Sequence, residues 1–179
     1  AAGCRAVLTE GVRYFRTVEM VERLDRDFFV GMMFYYLAAL PHAEFRALTV
    51  STGKNMGRDL DEKARLLLDA QAEYMQTIRA KNSYWATTAG FQIGSLYREF
   101  YTTMMNALPN FQTPARENAL KAGISVEEAQ RQLVQVYTEE VHQRVKPLLN
   151  KAMRVFEMNV IAGERLGVQS AWVGKSKQQ

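Results

Sequence analysis

The chain has 179 residues, 47% of them hydrophobic, and its 23 Lys and Arg against 19 Asp and Glu leave a net charge of +4. That length suits one domain with a real core, since about 70% of the unfolded surface can be removed from water. Basic and acidic residues interleave along most of the chain, which describes a solvated surface and argues against nucleic acid as a partner; a single cysteine excludes an internal disulfide and a thiolate metal cage.

The opening AAGCR has the look of a lipoprotein processing site ahead of Cys4, although Ala1 stands where a leucine is usual; the alternative is a fragment boundary. From Arg5 to Asp25, Leu8, Val12, Phe15, Val18, Val21 and Leu24 recur every three or four positions among charged residues, predicting an amphipathic surface helix. Asp27 is placed to cap the next helix, Phe28 to Leu40, which Pro41 is expected to end. This is the longest uncharged apolar run, and it falls short of the roughly 18 to 20 residues a spanning helix needs, so no transmembrane segment is expected. Its stripe of Met32, Met33, Phe34, Tyr35 and Tyr36 reads first as core, with an adaptable binding face as the alternative; Phe34 and Tyr35 are therefore interaction candidates.

His42 to Val50 has no clear pattern, and His42 reads as a loop or helix-terminus residue more than as a catalytic base. Ser51 to Asp59 is a polar loop. Its Gly53-Lys54 pair is not a phosphate loop, because Leu48 and Asn55 stand where the motif requires Gly and Ser or Thr.

Asp61 to Lys81 is a third helix, with Ala64, Leu67, Gln71, Tyr74 and Ile78 on one side. A tight turn leads into Asn82 to Tyr101, the central buried helix, in which Trp85, Ala89, Ile93 and Tyr97 share a face. Gly90 and Gly94 there should each cost about 1 kcal/mol against alanine, so their expected use is close approach of a neighbouring helix. So short a turn forces the two helices into an antiparallel hairpin. The stretch from Ala107 to Ser125 is expected to be irregular. Ser125 and Glu128 form a capping box for a helix starting at Val126, which Pro147 should kink or split near Arg144. Gly163 and Gly167 offer stops, and the final GKSKQQ is expected to fray. With no strand signal, the expected fold is a single all-α domain of five or six helices in antiparallel hairpins, a fragment or subunit of a larger helical-repeat assembly.

Glu139-x-x-His142 has the ligand spacing of bundle metal centres, but such a site needs a second copy and further inward carboxylates. The only other histidine is His42, and 28–40 and 82–97 contain no Asp or Glu, so no metal or other cofactor is expected. No nucleophile elbow or other enzyme signature is present. Arg144, Lys146, Lys151 and Arg154 form a basic run, followed by Lys175 and Lys177, that reads first as the wet face of a long helix, with a contact for acidic partners, lipid headgroups or nucleic acid as the alternative; Arg144, Lys151 and Arg154 complete the interaction candidates.

Ala70-x-x-x-Tyr74 and Ile93-Gly94-x-x-Tyr97 match the small-x-x-x-aromatic and Leu-Gly-x-x-Tyr patterns of a tetratricopeptide unit, Ala152-x-x-x-Phe156 repeats the first, and Arg165-Leu166-Gly167-Val168 before Trp172 looks like the approach to another. The chain resembles the degenerate, long-helix tetratricopeptide scaffold proteins of deltaproteobacterial cell envelopes. A strict repeat returns about every 34 residues, whereas Leu60 and Glu128 occupy those positions on either side of Gly94. The resemblance implies a non-enzymatic scaffold or adaptor in the periplasm or cell envelope that binds protein segments, with Tyr74, Trp85, Ile93, Gly94, Tyr97 and Phe156 as packing residues. The alternatives are a homo-oligomeric helical bundle and a metal- or ligand-binding bundle using Glu139, His142 and His42.

Overall fold

A computed structural model describes residues 2–22, 26–51, 55–107 and 111–179. Among them are seven α-helices and no strand: α1 Ala2–Glu22, α2 Phe28–Ala47, α3 Met56–Arg79, α4 Ser83–Asn106, α5 Gln112–Ala122, α6 Val126–Arg165 and α7 Ala171–Lys177. The fold is all-α, with α5 and α7 added to the helices the periodicity predicts. No described helix is long and apolar enough to cross a membrane. Gly53 and Lys54 lie outside the described residues, as do Leu24 and Asp25 of the expected first helix.

The uncharged stretch becomes α4, and it is the hub: α2, α3, α6 and α7 all pack against it. Asn82 starts it, its Oδ1 accepting from the Trp85 amide at 3.1 Å. The α3–α4 hairpin is tied across by the Tyr97 hydroxyl, which donates to Gln71 Oε1. On the other side α6 runs antiparallel, with Asn159 filling the notch at Gly90 and Phe156 the notch at Gly94. Phe45, Tyr74, Ala89, Leu96 and Phe156 belong to one continuous core, in which each large apolar side chain stabilises by about 1.5–3 kcal/mol. A satellite cluster of Val12, Phe15, Val30, Phe34 and Ala80 attaches α1 to α2.

Pro41 does not end α2, which continues to Ala47. The missing N–H and the ring clash of an interior proline cost roughly 3 kcal/mol, and contacts beyond it offset that cost. Phe45 is buried; Lys63 Nζ from α3 donates to the carbonyls of Phe45 at 2.6 Å and Leu48 at 2.8 Å, closing the helix end; Arg46 pairs with Glu99 on α4. His42 consequently lies in the core, 2% exposed, and not in a loop. Asp27 caps α2 as expected, accepting from the amides of Phe29 and Val30.

The connection expected to be irregular contains α5. Pro114 sits in its first turn, where a missing amide hydrogen is harmless, and Gly123 closes it at φ 66°, a left-handed conformation that suits glycine. Among the described helices α5 packs only on α6, through Ala115, Ala119 and Ala129 with Ile124 and Leu133 alongside. α6 then runs unbroken through Pro147, which is solvent-exposed. The carbonyl its ring deprives, four residues earlier at Gln143, lies on the same exposed side where water can bond it. Ser125 caps α6 by accepting from the Glu128 amide at 3.1 Å, while the Glu128 carboxylate pairs with Arg131.

Gly163 is a packing notch against Val173 of α7, and the stop falls at Leu166 and Gly167. The expected frayed end is corrected as well: Gly174 to Lys177 are helical, and buried Ser176 accepts from Asn159 Nδ2 at 3.0 Å.

Candidate functional site

Three helices turn side chains toward one space. On α3 these are Gln71, Met75 and Ile78; on α4, Ala86, Gly90 and Ile93; on α6, Val155, Met158, Ala162 and Leu166. Each set advances by three or four residues, the spacing that keeps side chains on one helix face. Together they line an open groove of about 840 Å³, with α4 as its floor and α3 and α6 as its walls. The walls pack on α4 and not on each other. Small Ala86 lowers the floor, the notch at Gly90 being taken by Asn159, while Met75 and Met158 stand exposed on the walls, and flexible thioethers adapt to varied surfaces.

The charge around the groove is one-sided. Arg26, Lys81 and Lys151 line it, and among the described residues no Asp or Glu does. None of the three forms an ion pair among the described residues. Lys151 Nζ instead lies 4.3 Å from the centre of the Tyr97 ring. Because α4 and α6 are antiparallel, Lys151 stands at the Tyr97 end, while Arg26 and Lys81 stand near Asn82 and Leu166 at the other. The Arg26 amide donates to the Ala80 carbonyl at 3.1 Å, and Asn82 Nδ2 to the Arg26 carbonyl at 3.0 Å, so this end is pinned by backbone contacts.

A second polar cluster is interior. His42 Nδ1 and the Tyr74 hydroxyl share a hydrogen bond of 3.0 Å, and His42 Nε2 lies 3.7 Å from Glu99, whose carboxylate receives two bonds from Arg46 at 2.6 and 2.9 Å. Burial pushes the Glu99 carboxyl up, but the Arg46 hydrogen bonds and neighbouring positive charge outweigh it and hold its pKa at about 2. Burial raises the Tyr74 phenol and lowers the Lys63 ammonium. These groups bond one another and helix-end carbonyls, which is the chemistry of a junction between α2, α3 and α4.

The residues singled out from sequence are dispersed. Tyr74, Trp85, Ile93, Gly94, Tyr97 and Phe156 are all buried. Phe34 is buried too, edge-on to Phe15 at 6.1 Å, so α1 covers it; Tyr35 is half-buried, stacked between Tyr74 and Trp85. Neither is presented for binding. Lys151 lines the groove, whereas Arg144 and Arg154 are exposed on α6 outside it. Glu139 accepts from Gln143 at 2.7 Å, and His142 Nδ1 bonds the Tyr101 hydroxyl at 3.0 Å. Among the described residues no group of three potential metal ligands comes together.

Sequence periodicity could mark the apolar faces of α3 and α6, but not that they stay apart. Arg26, Lys81 and Met75 carried no signal of their own. Compared with known proteins, the chain matches no family model, no curated protein and no solved structure.

Proposed function

We propose that this chain is a non-enzymatic protein–protein interaction module that holds a segment of another protein in the groove between α3, α4 and α6. The observation that carries the reading is an apolar trough walled by two helices whose backbones stay apart, with exposed methionines on both rims. The tetratricopeptide resemblance points the same way, and it is also the basis for proposing a cell-envelope assembly as the setting. A photo-reactive amino acid at Met75 or Met158 in cells tests the reading. A discrete protein adduct from these positions, lost when Met75→Glu is added to the Met158 probe and absent from a probe at exposed Arg131, is the expected result. Equal labelling from all positions would count against it.

A second reading rests on a different surface. Phe28, Phe29, Tyr36 and Tyr84 are exposed and in ring contact with one another or with Trp85, an aromatic face suited to burial between copies of the chain. Sedimentation showing a monomer across a wide concentration range would remove it.

A further inference from the structure

We propose that the occupant of the groove is an acidic amphipathic helix, a deepening that rests on the interaction reading above. Shape comes first. The backbones of α3 and α6 flank α4 without meeting, so the space above Ala86 is the position a further bundle helix would take, with that small side chain beneath it to let a backbone approach. The α6 wall from Lys151 to Leu166 is about 22 Å long at 1.5 Å per residue, the length of roughly four helical turns.

The walls decide between a helix and an extended segment. A strand needs partners for its backbone N–H and C=O groups, and the sides of α3, α4 and α6 have theirs committed within their own helices. An extended peptide would therefore bury unpaired polar groups, whereas a helix arrives with its own satisfied. Charge then selects among helices. Cations stand at both ends of the groove, Arg26 with Lys81 at one and Lys151 at the other, and among the described residues no lining acid offsets them. The complementary ligand carries apolar residues at i, i+3, i+4 and i+7, with Asp or Glu near both ends of that stripe.

The test uses the full chain and a displayed library of 18-residue helix-forming peptides, randomised at charged and apolar positions. Selection is run against the protein and counter-selected against the Met75→Glu/Met158→Glu double variant, whose sites are exposed enough to leave the fold intact. Enrichment of acid-rich, helically spaced apolar sequences supports the proposal. So does a drop in their affinity of about tenfold or more in the Arg26→Glu/Lys81→Glu/Lys151→Glu variant, shrinking as salt rises. Enrichment of neutral or basic helices, or of sequences without helical spacing, overturns the acidic-helix proposal and leaves the interaction reading standing. A library that yields nothing sensitive to the Met75→Glu/Met158→Glu pair removes both. Native mass spectrometry showing a retained acyl lipid that the selected peptides cannot displace also overturns the proposal.

Discussion

A Cβ added to Gly94 on α4 would lie 2.5 Å from Cε1 of Phe156 on α6, so the two helices meet backbone to ring with no space for a methyl group. The ring cannot retreat, because Phe91 stacks beside it with centroids 5.6 Å apart and the side chain is almost wholly enclosed. Gly94→Ala gains about 1 kcal/mol in helix propensity but incurs about 1–3 kcal/mol of overpacking. Urea denaturation is expected to show net destabilisation of up to about 2 kcal/mol. Gly57→Ala is the control: nothing lies near that position in α3, so it should be neutral or stabilise by up to about 1 kcal/mol.

Lys63 is the tether of α2 beyond Pro41. Lys63→Met keeps the apolar stem and removes the donors to the Phe45 and Leu48 carbonyls, together with the ammonium 4.3 Å above the Phe45 ring. The expected loss is about 1–3 kcal/mol, since it leaves helix-end acceptors without partners in a buried place. Thermal denaturation followed by circular dichroism measures it, and a variant as stable as the parent would show that Phe45 burial alone carries the helix past its proline.

Glu99 gives the fold an acid sensitivity of known sign. Its folded pKa, about 2, lies below the ordinary 4.5, so its contribution is complete above pH 4.5 and is lost as pH falls from there toward 2. The whole contribution is at most about 3 kcal/mol, since solvent screens the partly exposed carboxylate. Urea midpoints between pH 7 and pH 3 should fall in that window for the parent chain. Glu99→Gln should begin lower at pH 7 and lose less on acidification, and parallel profiles would contradict the Arg46 pairing as the cause.

Gly123 holds φ 66° at the turn between α5 and α6. Gly123→Ala is expected to cost about 1 kcal/mol or slightly more. Because α6 is the one described helix that α5 packs on, the effect should be local: faster amide hydrogen exchange in 112–133 with little change in the core around Leu96.

The parts of this fold that could be read in advance are those where local chemistry and tertiary packing agree. α4 was evident because an uncharged run with small residues at positions 90 and 94 has no stable place except between other helices, and Asp27, Asn82 and Ser125 start helices by side-chain bonds within three residues. Pro41 and Pro147 misled for the opposite reason. Each is a local stop, and each is overridden, at Pro41 by Lys63 and Phe45, whose contacts span distant positions, and at Pro147 by exposure that lets water bond the freed carbonyl. α5 was missed although Pro114 in a first turn and Gly123 at a helix end are both helix punctuation, because two prolines and a glycine close together also describe a loop. The groove escaped altogether: it exists because α3 and α6 stand apart, a relation between helices more than 40 positions distant along the chain.

The central place of α4 has a consequence for biosynthesis. Two of its partners, α2 and α3, precede it in the chain, and two, α6 and α7, follow it. When α4 leaves the ribosome it can dock on the first pair, but the face carrying Gly90, Phe91 and Gly94 stays bare until α6 and α7 are made. At a synthesis rate of about 5–20 residues per second that interval is roughly 4 to 14 s. During it, the nascent chain displays the surface destined for its own interior, the condition under which unburied apolar side chains are most prone to aggregate.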